Sequence, residues 1–176
     1  MKYEVEDFIN FPHAEVFDTF VNQLPKMAEF IPDIKEIRVL ESREEGDKAY
    51  RVSQWVGKRE LPGWLKKFTD VDELGWIDRA VWDLKKFYVD YTLELPSLGK
   101  YVGVSGRNEI LPSGKGAKIL LYGEIKLEIE KHPAVPRLLA MGLKPKLEKF
   151  IIELIKPNLQ NANRAMEKYL ASKHKK

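Results

Sequence analysis

Leu147, Phe150, Ile151, Leu154, Ile155, Leu159, Ala162, Met166, Tyr169 and Leu170 recur at the spacing of one face of an α-helix, from about Pro145 to Ala171. At ~1.5 Å per residue such a helix is a rod of ~40 Å with one broad apolar side. Most of its stability must come from a surface to lie on. The residues just ahead of it supply one. Between Ala117 and Glu130, Ile119, Leu121, Ile125, Leu127 and Ile129 fall on one face, and Lys118, Glu124, Lys126, Glu128 and Glu130 mainly on the other. That is the period of a strand in an antiparallel sheet with one face in water.

The rest of the chain fits the same plan. Met1 to Ile9 reads as a first strand, and Asn10 and Pro12 suit the start of a helix that buries Val16, Phe17, Phe20 and Val21. Pro25 interrupts it, Leu24 to Phe30 forms a second short helical piece, and Pro32-Asp33 ends that. Period two resumes from Ile34, with Glu45-Gly46-Asp47 turning into Lys48 to Val56. Further strands read at Trp76 to Leu84, Phe87 to Leu95 and Lys100 to Leu111, with a turn at Pro112 to Gly116. The order is a strand, two short helices, about six antiparallel strands and one long helix. No repeat, linker or low-complexity block divides it, so residues 1–176 are expected to form one domain.

Charge and composition exclude several classes. Thirty Lys and Arg against 27 Asp and Glu leave a net charge of +3, segregated only in the tail KYLASKHKK, which argues against a nucleic-acid partner. No window has the ~18 consecutive apolar residues of a membrane helix, and the chain opens directly on a strand pattern, so a cytoplasmic location is expected. The absence of cysteine removes thiolate chemistry and Cys-type zinc sites. His13, His132 and His174 form no HxxxH or HExxH pair, and no metal or cofactor is expected. Ser105 lacks the GxSxG context of an elbow nucleophile, and Gly114-Lys115-Gly116 is a hairpin turn rather than a phosphate loop.

The order of elements, with the helix start NFPHAEVFDTF, the strand AVWDLKKF, the hairpin LPSGKGAKILLYGEIKLEIE and the proline-rich run into KLEKFIIELI, resembles the START and Bet v 1-like (SRPBCC) superfamily, closest to a bacterial branch of it. The resemblance covers nearly the whole chain. It implies an α+β helix-grip fold: a curved antiparallel sheet of about seven strands wrapped around a long C-terminal helix, with two short helices after the first strand and an apolar pocket between sheet and helix. Members bind lipids, sterols, polyketides or hormones, and some are cyclases, dehydratases or oxygenase domains. The chain departs from its relatives in RLLAMGLKP, at the expected mouth of the pocket.

Within that plan, Asp78, Tyr91 and Asn108 are polar residues on strand faces that otherwise look inward. Each needs a partner, a water or a ligand. Trp55, Trp82, Tyr91, Leu93, Val104, Asn108, Leu121, Leu138, Met141, Leu147, Ile151 and Leu154 are the expected lining of the pocket, with Tyr91 and Asn108 as polar anchors. The long connection from Gly57 to Gly75 carries Trp64 and Phe68 among Lys58, Arg59, Lys66 and Lys67, the composition of a lid or of a lip that touches a membrane surface transiently. Pro133 and Pro136 should stop the last strand near Lys131. Val135 to Met141 should then form a short helical piece, broken at Gly142, whose Leu138, Leu139 and Met141 cover one end of the pocket. Pro157 should kink the long helix.

The expected function is binding or transport of a hydrophobic or amphipathic, lipid-like small molecule. One alternative is a polyketide cyclase or dehydratase, a lyase or isomerase with Asp78 as general base and Tyr91 as acid. Another is a protein-interaction module whose cavity is filled by its own side chains. The sequence leaves the ligand and the oligomeric state open.

Overall fold

A computed structural model describes residues 1–96 and 98–175. Its seven strands are β1 (Lys2–Ile9), β2 (Ile34–Glu45), β3 (Lys48–Glu60), β4 (Glu73–Asp83), β5 (Tyr88–Glu94), β6 (Val102–Ser113) and β7 (Gly116–Leu127). They form one antiparallel sheet in the order β1-β7-β6-β5-β4-β3-β2. Strands β2 to β7 are a meander, and β1 adds to its far end beside β7. The helices are α1 (His13–Asn22), α2 (Leu24–Met27), α3 (Gly63–Lys66) and α4 (Arg137–His174). This is the helix-grip α+β architecture: α1 and α2 follow the first strand, and α4 lies along the inner face of the sheet.

Alternation decides that inner face. Ala117, Ile119, Leu121, Ile125 and Leu127 of β7 are all buried, as are Val102, Val104 and Ile110 of β6. The β6–β7 hairpin closes through Gly114-Lys115, with Gly114 at φ +57, the left-handed value that a two-residue hairpin loop needs at its first position. Several boundaries differ from the expected ones. Pairing with β4 carries β3 on to Glu60 and starts β4 at Glu73, so the long connection shrinks and holds α3. Asn10 does not cap α1. Pro12 occupies the cap position, its carbonyl accepting from the Glu15 and Val16 amides, while the Asn10 amide donates to Glu167 of α4.

The largest correction concerns α4, which is continuous from Arg137 through Gly142, Pro145 and Pro157. At ~1.5 Å per residue it is ~57 Å long. Pro145 and Pro157 remove the donors for the carbonyls of Met141 and Glu153. All four residues are exposed, so water can take up the carbonyls that the prolines release. Once the helix starts at Arg137, Ala140, Leu147, Ile151 and Ile155 share the buried face. Leu138 and Met141 then point away from it, 89% and 80% exposed.

The apolar interior falls into two clusters. One gathers Phe17, Met27, Trp82, Ile119 and Met166 under α1, α2 and the C-terminal half of α4. The other gathers Leu61, Leu65, Leu98, Ile125 and Leu147 under its N-terminal half. Leu159 packs against both.

Candidate functional site

A row of four residues crosses the sheet where the clusters meet. Tyr3 of β1 is paired with Gly123 of β7, Gly123 with Gly106 of β6, and Gly106 with Tyr91 of β5. A Cβ on Gly106 would collide with the Tyr91 ring and hydroxyl, and one on Gly123 with the Tyr3 ring. Two glycines in strand interiors cost strand stability, and here they make room for both rings to lie down over the backbone. The two hydroxyls meet at 2.7 Å, and the Tyr91 hydroxyl also lies 3.4 Å from the Tyr122 carbonyl. Donation from Tyr91 to that carbonyl and from Tyr3 to Tyr91 satisfies the set. Burial raises the pKa of both hydroxyls, so both are neutral phenols at ordinary pH.

Above this row lies a cavity of about 150 Å³ between the sheet and α4. Trp55, Trp76, Trp82, Val89, Leu93 and Val104 line it from the strands, Ile151, Leu154, Ile155 and Leu159 from α4, and Phe20 and Leu24 from the short helices. Trp55 and Trp76 are cross-strand partners with stacked rings, 5.5 Å between centroids at 16°. The lining is overwhelmingly apolar, and its polar members are few: Asp78, Asn108, Asn158 and the two tyrosines. Among the described residues, the buried side-chain polar atoms without a protein hydrogen-bond partner are Trp55 Nε1, Asp78 Oδ1, Asn108 Oδ1 and Asn158 Oδ1. All four belong to residues that line this one cavity.

Asp78 carries the largest electrostatic consequence. Its cross-strand neighbours are Ser53 and Leu93, neither of which brings a charge, and burial pushes its carboxyl up to about 7. The group is therefore poised between its neutral and ionised forms near neutral pH. A second, more polar cavity of about 170 Å³ shares Phe20, Leu24, Asp78, Ala80 and Trp82 with the first and adds Ser42, Arg51 and Ser53. Asp78 thus stands on the wall between an apolar chamber and a polar one.

Of the expected lining residues, Trp55, Trp82, Tyr91, Leu93, Val104, Asn108, Ile151 and Leu154 line the cavity. Leu121 and Leu147 are buried but not in the lining; each is packed into one of the two clusters beside it. Leu138 and Met141 cover nothing, because the unbroken helix turns them to solvent. Trp64 and Phe68 do not line the cavity either. Leu65 anchors α3 in the second cluster and Trp64 meets the Phe150 ring edge-on, so α3 packs against the N-terminal half of α4. Asp78 and Tyr91 both line the cavity, yet Tyr91 bonds to Tyr3 and is not hydrogen-bonded to Asp78.

Sequence reasoning missed Tyr3, Trp76 and Asn158. Asn158 left a readable signal, a polar residue within the stripe between Leu154 and Ala162. Tyr3 left none, since its role depends on which glycines face it across the sheet. Among the described residues no three His, Asp or Glu side chains converge as a metal site, and no helix is long and apolar enough to cross a membrane.

No protein-family model and no curated protein matches this sequence. Solved structures do match in fold. TTHA0849 from Thermus thermophilus is similar at 16% identity and a TM-score of 0.65, over 98% of this chain and 99% of its own. The Zhui aromatase/cyclase from Streptomyces sp. R1128 is similar at 13% identity and a TM-score of 0.64, over 96% of this chain and 92% of its own. Ara h 8.0201 is similar at 17% identity and a TM-score of 0.61, over 98% of both chains. At such identities the likeness shows the fold alone: a helix-grip fold, with one antiparallel sheet and a long C-terminal helix.

Proposed function

We propose that residues 1–176 act as one ligand-binding domain that holds a compact amphipathic molecule in the cavity between α4 and the sheet, as a carrier or sensor. One observation carries the reading: every buried unpartnered polar side-chain atom among the described residues belongs to the lining of one apolar cavity. An unpaired buried polar group costs about 1–3 kcal/mol, and a guest that hydrogen-bonds while filling an apolar space recovers that cost. A chamber of about 150 Å³ admits roughly one aromatic ring, which favours a compact guest over a long acyl chain. Leu154→Trp fills the chamber from α4. It should weaken calorimetric binding of 2-phenylethanol at least tenfold with the fold retained. Unchanged binding in the folded variant would place the ligand elsewhere.

A second reading is favoured by one feature, the Asp78 carboxyl held at about 7, where a general base is most effective. The Zhui aromatase/cyclase has the same fold. A lyase or isomerase of that type would use Asp78 to take a proton and the neutral Tyr91 hydroxyl to give one. Turnover of a polyketide-like substrate lost in Asp78→Asn, with substrate binding retained, would decide for the enzyme.

A further inference from the structure

We propose that the cavity selects a small aromatic amine in its cationic form, with the ammonium group on the Asp78 carboxylate and the ring among Trp55, Trp76 and Trp82. This rests on the reading of the cavity as a ligand site and names the class of guest. The first argument is the sign of charge. Among the described residues lining the cavity, Asp78 is the only carboxyl, and no lysine, arginine or histidine joins it. A guest carboxylate would face a like charge with no cation to receive it, whereas a guest ammonium supplies the counter-charge that the fold withholds.

The basic residue of the adjoining chamber is already committed. Arg51 lines the adjoining polar chamber with Asp78, but its guanidinium donates to Glu44 at 2.9 Å, to Asn22 at 3.4 Å and to the carbonyls of Val21, Arg43 and Tyr50. The unpartnered oxygens can receive such a guest. Asp78 Oδ1, Asn108 Oδ1 and Asn158 Oδ1 are buried acceptors without a protein donor. An ammonium group brings three donors and no acceptor. Indole faces attract a desolvated cation by about 2 kcal/mol or more, and three tryptophans line this chamber. The volume then limits the guest to roughly a single ring with a short amine arm.

The test compares three probes of one shape by calorimetry: 2-phenylethylamine, 2-phenylethanol and 3-phenylpropionate. At pH 8 the amine should bind at least tenfold more tightly than the alcohol, and the acid more weakly than either. The advantage should shrink at pH 5.5, where Asp78 takes up its proton. The other titratable or charged groups facing it are Tyr3 and Tyr91, which burial holds neutral, and Arg51, which is paired with Glu44; α1, α2 and α4 add none to the lining. Asp78→Asn should cut the amine-to-alcohol ratio below about threefold. Equal binding of amine and alcohol to the unaltered protein, or tightest binding of the acid, would overturn the amine inference and leave the ligand site standing. Failure of all three probes to bind would overturn both.

Discussion

Asp78 makes the stability of this protein depend on pH in a window where most proteins are indifferent. Its carboxyl is pushed up to about 7 by burial, against an ordinary value of about 4. Between those values the folded state keeps a proton that the unfolded chain has released. Stability should therefore fall as pH rises from about 4 to 7 and level off above, with a ceiling of about 4 kcal/mol at ~1.4 kcal/mol per unit. Urea melts at pH 5 and pH 8 should show this fall, and Asp78→Asn should flatten it. Below about pH 4 the slope reverses. Asp83 is held below the usual carboxylate range by the Lys48 ammonium and the Lys86 and Lys85 amides, so its contribution is lost as acid protonates it. The tyrosine pair gives a second residue-scale outcome. Tyr91→Phe strands the Tyr3 hydroxyl, at a cost of about 1–3 kcal/mol, while Tyr3→Phe leaves Tyr91 its carbonyl and should cost less. The double variant should be more stable than the summed single costs imply, and additive costs in a double-mutant cycle would mean that the two hydroxyls are not coupled.

At the scale of elements, α4 shows what periodicity reveals and what it conceals. The stripe from Leu147 to Leu170 was legible because ridges three and four apart must share a face, and those residues do line the interior. The helix start was not, because Pro136, Gly142 and Pro145 read locally as interruptions. Whether a proline breaks a helix depends on where the released carbonyl points, and here it belongs to an exposed residue. That shift moved Leu138 and Met141 from an expected cover to open solvent. Leu138→Ser and Met141→Ser should accordingly change stability by no more than about 0.5 kcal/mol and leave binding of 2-phenylethanol unaltered. A large loss of either would mean that this turn packs on something. Leu147→Ala, nine residues beyond Leu138 and fully enclosed, should cost about 2–5 kcal/mol in the same melts.

Across the whole molecule, the fold was readable in the sequence and the site only in part. Strand alternation and helical period are local signals, and together they specify a sheet with one wet face and a helix to cover it. The cavity is a property of register. That Tyr3 lies opposite Gly123, Gly123 opposite Gly106 and Gly106 opposite Tyr91 depends on pairings between residues up to 120 positions apart. No local pattern encodes them. The same row has a mechanical consequence. Strand β1 is the sheet's edge and is anchored unevenly: near Asp7 and Phe8 it is riveted to α4 through Asn163 and Arg164, whereas around Tyr3 its backbone is paired with β7 alone. The end without a tie to α4, held by the Met1 ammonium on the Ile125 carbonyl and by the Tyr3–Tyr91 hydroxyl bond, is the one that carries a wall of the chamber, so opening of this edge would give a guest its way in. Deuterium uptake at the β1 amides should then slow when 2-phenylethanol is bound, with the opposite edge at β2 exchanging as before. Equal uptake at β1 with and without the guest would mean that molecules come and go by another door.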